Sequence, residues 1–184
     1  MVMDAVAVFC GSKLGQDELY AVHARQLGKL LALQGCAVVY GGGNRGLMGA
    51  VANGALAEEG RVVGIIPDHL VAWEQQHLGL TELVVVPDMH TRKRMMYERS
   101  SAAIILPGGF GTMDELFELL TWNQLSLHNK PVFILNSAGF YTPLFQMMQA
   151  MHHQGFLYDS VYDRVKTADT PDGVLTLLNK SAIV

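Results

Sequence analysis

A doubly wound α/β domain, with a parallel sheet and helices on both faces, is the architecture this sequence predicts. Three observations carry the prediction. Apolar runs of strand length recur without polar alternation, the pattern of strands buried on both faces. Longer amphipathic runs separate them, so successive runs read as βαβ units. Glycine-bearing stretches at 11–15, 41–46 and 108–111 each follow an apolar run. In such sheets ligands bind at the carboxyl ends of the strands. All three loops should therefore share one edge and form one composite site.

The elements follow in order. AVAVF (5–9) is a strand ending in CGSKLG, and residues 17–34 keep Leu19, Val22, Leu27, Leu30 and Leu31 at helical spacing. CAVVY (36–40) is the second strand and stops at GGGNRG. Residues 47–59 read as a helix whose small residues suit close packing. VVGII (62–66) ends at Pro67, and LVVV (83–86) ends at Pro87. Between them, residues 67–80 form the longest irregular connection. Helix 88–100, strand 102–106, helix 112–126 and strand 132–135 complete the pattern. Beyond residue 155 an edge strand at 161–167 and a closing helix at 171–180 are the readings.

The chain has 184 residues, which suits a single domain over 1–184. Half the residues are hydrophobic and the net charge is −4, a balance against nonspecific nucleic-acid binding, which needs a basic patch. No apolar stretch approaches the ~20 residues that span a bilayer. The N-terminus carries Asp4 and no basic region ahead of its apolar run, so it does not read as a signal peptide. Cys10 and Cys36 lie in no paired motif and read as buried, reduced thiols. A soluble cytoplasmic protein is expected, with no membrane or nucleic-acid partner and no metal.

GGGNRG (41–46) matches a dinucleotide fingerprint in form. A dinucleotide site also wants an acid at the end of the next strand, about 20 residues on. The acid there is Asp68, beyond Pro67, so the match is poor. A loop contacting a nucleotide through Gly42 and Gly43 is the better reading.

Residues 107–115 read PGGFGTMDE. Two accounts compete. Thr112 and Glu115 have the spacing of a capping box, in which both would serve only the helix start. Alternatively, Gly108, Gly109 and Gly111 let backbone N–H groups approach an anion at a helix N-terminus. A carboxylate beside a phosphate weakens binding, unless the acid faces a sugar attached to that phosphate.

DMHTRKRMMYER (88–99) supplies the cations. At about 100° per residue, Met89, Arg92 and Met96 share a face. Arg92 therefore lies on the more apolar side, where it pairs either with a core carboxylate or with a phosphate, which a guanidinium matches bidentately. Arg94 and Glu98 form an ordinary surface pair. Lys93 is a second cation near the helix start, and His90 reads as a cap or surface residue. Glu74, in the irregular connection, is a further candidate.

In combination these motifs resemble the LONELY GUY family of cytokinin riboside 5′-monophosphate phosphoribohydrolases. That family's PGGxGTxxE stands here as PGGFGTMDE, YGGGxxGLMG as YGGGNRGLMG, and MHxRKxxM as MHTRKRMM. Its FCGS is present at 9–12, and the likeness runs from about residue 5 to residue 150. The resemblance implies a Rossmann-like fold, usually a homodimer. It implies hydrolysis of an adenine-type nucleotide 5′-monophosphate to free base and ribose 5-phosphate, with no cofactor. Carried over by motif, Arg92 and Glu115 are the catalytic pair. Glu74, Arg92, Lys93, Gly109, Phe110, Gly111, Thr112, Met113, Asp114, Glu115 and Thr121 are the substrate contacts. Members have often been labelled lysine decarboxylases, yet nothing here resembles a pyridoxal phosphate site.

Two rivals stand beside the phosphoribohydrolase. Some relatives of the fold bind nucleotides or molybdenum cofactor as non-catalytic carriers. A broader nucleosidase would act on plain AMP, because the residues meeting an N6 substituent are not legible. The helix after the loop has apolar residues on two faces, which suits burial at a dimer interface.

Overall fold

A computed structural model describes residues 3–71 and 75–181. Among these, seven strands form one sheet in the order β4-β3-β2-β1-β5-β6-β7. They are β1 (Ala5–Phe9), β2 (Ala37–Tyr40), β3 (Val62–Pro67), β4 (Glu82–Val86), β5 (Ala102–Ile105), β6 (Val132–Leu135) and β7 (Val165–Ala168). Every pairing is parallel. β1 is central, with Val6 opposite both Val38 and Ala102. The order runs outward from β1 in both directions, so the topological switch point lies between β1 and β5.

The main helices are α1 (Glu18–Leu33), α2 (Gly46–Leu56), α3 (Met89–Glu98), α4 (Phe110–Gln124) and α5 (Thr142–His153). A short α6 (Val161–Arg164) precedes β7, and α7 (Pro171–Ser181) closes the described chain. Strand residues alternate between two cores. Val6, Val8, Val38 and Ile104 meet Leu27 and Leu31 of α1, Ala52 of α2 and Leu178 of α7. Ala7, Phe9, Val39 and Ile105 meet Met96 of α3, Leu116 of α4 and Tyr141. Both faces are thus covered, which is why the strands carry no polar alternation. Each fully buried Leu contributes about 1.5–3 kcal/mol. α1 and α2 cross at backbone distance, for a Cβ on Gly28 would stand 2.0 Å from the Val51 carbonyl oxygen.

The doubly wound Rossmann-like architecture agrees with the sequence reading, and β1 and β6 have the expected bounds. Most other boundaries shift by one to three residues, and four differences bear on the chemistry or the topology. Pro67 is the last residue of β3, paired with Val86, because its missing N–H falls where the ladder ends. The region read as an edge strand at 161–167 splits into α6 and β7. Helix α5, over a segment with no element assigned from sequence, begins with Pro143 in its first turn. Helix α4 begins at Phe110, earlier than the expected 112. Among the described residues no helix is long and apolar enough to cross a membrane.

Candidate active site

The earlier start of α4 removes the capping-box account of PGGFGTMDE. The N-cap is Gly109, and no side chain caps the helix. Thr112 is two residues inside α4 and Glu115 more than one turn in, so neither can serve a capping box. That account is overturned. Thr112 is buried, and a Cβ on Gly108 would stand 2.2 Å from its Oγ1. The hydroxyl is tucked under the loop. The N–H groups of the first turn of an α-helix have no intrahelical acceptor, and here they open toward a cavity.

The three glycine loops do meet at the switch point. Gly11 N–H donates to the Pro107 carbonyl at 3.0 Å, and Leu47 N–H donates to the Gly11 carbonyl at 3.0 Å. The loop after β1 is thereby wedged between the other two. Beside it lies a cavity of about 260 Å³. Cys10, Gly11 and Ser12 line it from β1's exit, with Met48 of α2 and Leu70. Met89 and Arg92 of α3 face Gly109, Phe110, Gly111, Thr112 and Glu115 of α4 across it.

Arg92 is 5 % exposed. Asp88 sets its helix, accepting from Thr91 N–H at 2.7 Å as the N-cap; His90 is exposed and does not cap. Arg92 Nη2 donates to the Gly41 carbonyl at 3.0 Å, and Nη1 reaches Met89 Sδ at 3.6 Å. A Cβ on Gly41 would stand 1.9 Å from Nη2, so only glycine admits the guanidinium here. Glu115, half-buried, shares the cavity.

A second lobe of about 340 Å³ shares Gly11, Ser12 and Gly109 with the first. Gly108, Lys13, Leu14, Tyr20 and Phe140 are among its walls.

Other expected contacts lie elsewhere. Lys93 Nζ sits between Asp114 Oδ2 and Glu118 Oε2, each at 3.0 Å. Burial alone would lower its pKa, but the hydrogen bonds and charges of these two carboxylates outweigh that and raise it. Lys93 and Asp114 are thus engaged with each other, off the cavity wall. Met113 packs against the core on the α3 side of the sheet. Thr121 donates to the Phe117 carbonyl at 2.7 Å and lines a separate pocket between α4 and α5 with Phe117, Leu120 and Met148. Gly42, at φ +79°, packs against Ile66 and Leu83. Its carbonyl accepts from His77 N–H at 2.9 Å, and Gly43 bridges to Gln76. Both glycines therefore hold the 75–77 segment rather than the cavity wall. Asp68 is exposed and bonds the neighbouring His69 N–H. Glu74 lies outside the described residues. Arg94 and Glu98 form their surface pair at 4.0 Å.

Sequence reasoning did not single out Ser12, Met48 or Leu70 as cavity residues, nor assign Cys10 to the site. The signal available was position: Cys10 and Ser12 immediately follow β1 at the shared edge. Leu70 had none.

Comparison with known proteins accords with this geometry. A family model described as "possible lysine decarboxylase" matches residues 48–178. The cytokinin riboside 5′-monophosphate phosphoribohydrolase of Rhodococcoides fascians is 43 % identical over 175 residues, 95 % of this chain and 88 % of that protein. The Arabidopsis thaliana protein of the same description is 39 % identical over 178 residues, 96 % of this chain and 82 % of that one. Among solved structures, the molybdenum cofactor binding protein of Rippkaea orientalis superposes with a TM-score of 0.75 at 26 % identity, covering 100 % of this chain and 99 % of that one. The cavity-lining Arg92 and Glu115, the switch-point loops and these likenesses over most of the chain converge: the chain belongs to the LONELY GUY family of cytokinin riboside 5′-monophosphate phosphoribohydrolases.

Proposed function

We propose that this protein hydrolyses the N-glycosidic bond of N6-substituted adenosine 5′-monophosphates, and of AMP, releasing free base and ribose 5-phosphate. One observation carries the reading: Arg92 and Glu115 line the same cavity as the uncapped N-terminus of α4. The 5′-phosphate sits at that N-terminus, where backbone N–H groups and the helix dipole favour an anion. Water attacks C1′ as the C1′–N9 bond breaks, and positive charge builds on the ribose ring. The Glu115 carboxylate stabilises that charge and orients the water. Arg92, held by the Gly41 carbonyl, balances the phosphate and orients the nucleotide. The departing base takes up a proton from solvent or from a cavity group.

A decarboxylase reading has no support at the basic segment. A Schiff-base lysine needs a lowered pKa, whereas Lys93 is held charged between two carboxylates.

The assembly we infer is a homodimer built on α4 and α5. Met147, Phe156 and Tyr158 are exposed, each next in sequence to Met148 or Leu157, which line the pocket with Thr121, and large exposed apolar patches mark interfaces. Two buried cysteines, neither in a disulfide, suit a reducing cytoplasm. The carrier reading is favoured only by the likeness to the molybdenum cofactor binding protein.

The test is a product assay with AMP, isopentenyladenosine 5′-monophosphate and the two matching nucleosides. Free base and ribose 5-phosphate from the monophosphates alone support the hydrolase. Intact nucleotide bound without turnover would move the protein to the carrier class.

A further inference from the structure

Tyr141 follows the turn Ser137–Gly139 and caps α5, and it is 1 % exposed. Its hydroxyl donates to the Leu106 carbonyl at 2.6 Å. That carbonyl is at a special place. In a parallel ladder a residue turns its N–H and its carbonyl to the same neighbouring strand. Leu106 N–H donates to Phe9 of β1, yet Gly11 N–H, the donor that the ladder would bring to the Leu106 carbonyl, goes to Pro107 instead. The phenol supplies the bond that the β1–β5 ladder does not. Tyr141 is itself pinned, its N–H donating to Asn136 Oδ1 at 2.7 Å.

Leu106 is the last residue before PGG. Its own N–H donates to the Phe9 carbonyl at 2.9 Å, and the next carbonyl, of Pro107, receives Gly11 N–H. The entry to α4 is thus fixed at successive carbonyls, one of them by Tyr141. Burial, then the nearby Cys10 and Glu115, hold the phenol in its protonated, donating form.

We propose that Tyr141 is a positioning residue for the hydrolysis, holding the PGG loop so that the first turn of α4 and Glu115 stand in register with the nucleotide. This rests on the hydrolase reading above. A buried carbonyl left without its donor is unstable, so the loop would shift to find another. Small displacements of a catalytic group cost rate steeply. The phosphate, bound by several N–H groups, would lose less.

The experiment compares Tyr141→Phe with the parent on isopentenyladenosine 5′-monophosphate, well below both melting temperatures. Phenylalanine keeps the ring packing, so the fold is retained. The expected result is a kcat lower by about 10- to 100-fold with KM little changed. Val174→Ala, a core truncation in α7 on the opposite face of the sheet, controls for lost stability and should lower Tm without lowering kcat. If Tyr141→Phe lowers Tm but keeps kcat within about twofold of the parent, the positioning role is overturned. If the parent itself releases no base, the hydrolase reading fails first, and the role fails with it.

Discussion

The guanidinium of Arg92 in α3 donates to the carbonyl of Gly41 at the exit of β2, at 3.0 Å. This bond ties the basic helix to the second glycine loop and aims the cation into the cavity. A Cβ at residue 41 would occupy the guanidinium's place. Gly41→Ala should therefore phenocopy Arg92→Ala, each lowering kcat/KM by about 10²–10³. The double variant should cost little more than either single one, since residues acting as a unit are not additive. Steady-state kinetics of the three variants check this.

Glu115 has no part in starting α4. Glu115→Gln should then leave the melting temperature nearly unchanged while lowering kcat by at least about 10²-fold. Calorimetric titration should show nucleotide binding retained. A variant with near-full turnover would remove Glu115 from the mechanism.

Lys93 bridges Asp114 and Glu118. Removing it leaves a half-buried Glu118 facing Asp114 without a cation. Lys93→Met should cost about 1–3 kcal/mol of stability, read by urea unfolding, with a smaller effect on KM. A large rise in KM at unchanged stability would show that Lys93 leaves its carboxylates to meet substrate.

His128 stacks on Tyr97 with ring centroids 4.1 Å apart. Burial first, then Lys130, push its pKa down from 6.5 to about 4. The folded state favours the neutral ring, while the unfolded chain takes up a proton near its ordinary value. The contribution to stability is present above pH 6.5 and is lost as pH falls toward 4. Urea unfolding between pH 7.5 and 4.5 should show a steeper loss in the parent than in His128→Asn. Equal slopes would assign the acid lability elsewhere.

His77 ties the 75–79 segment to α2. Its Nδ1 accepts from Gly79 N–H at 3.1 Å and its Nε2 meets Asn53 Oδ1 at 3.0 Å. Only the ring protonated at Nε2 alone satisfies both bonds, and burial lowers its pKa accordingly. Protonating Nδ1 would release Gly79. Amide exchange across 75–79 should therefore quicken as pH drops below 6.5, after correction for intrinsic rates. An unchanged protection factor would remove His77 as the latch.

Much of this was legible in the sequence because it depends on local pattern. Unalternated runs such as AVAVF and VFIL identify strands buried on both faces, since each inward position must be apolar. Parallel topology then sends every loop after a strand to the same edge, so the meeting of Gly11, Leu47 and Pro107 follows from order alone. Arg92 was placed on its apolar helical face by periodicity. Tertiary contacts decided the rest. Both candidate start points for α4 lie within PGGFGTMDE, and the choice of Gly109 rests on the burial of Thr112 beneath Gly108. Lys93 and Arg92 are sequence neighbours, yet helical geometry turns one toward Asp114 and Glu118 and the other toward Gly41. The Tyr141 hydroxyl meets the Leu106 carbonyl where Gly11 N–H has gone to Pro107 instead. Contacts between residues distant in the chain are set by how layers pack, and no local pattern encodes them.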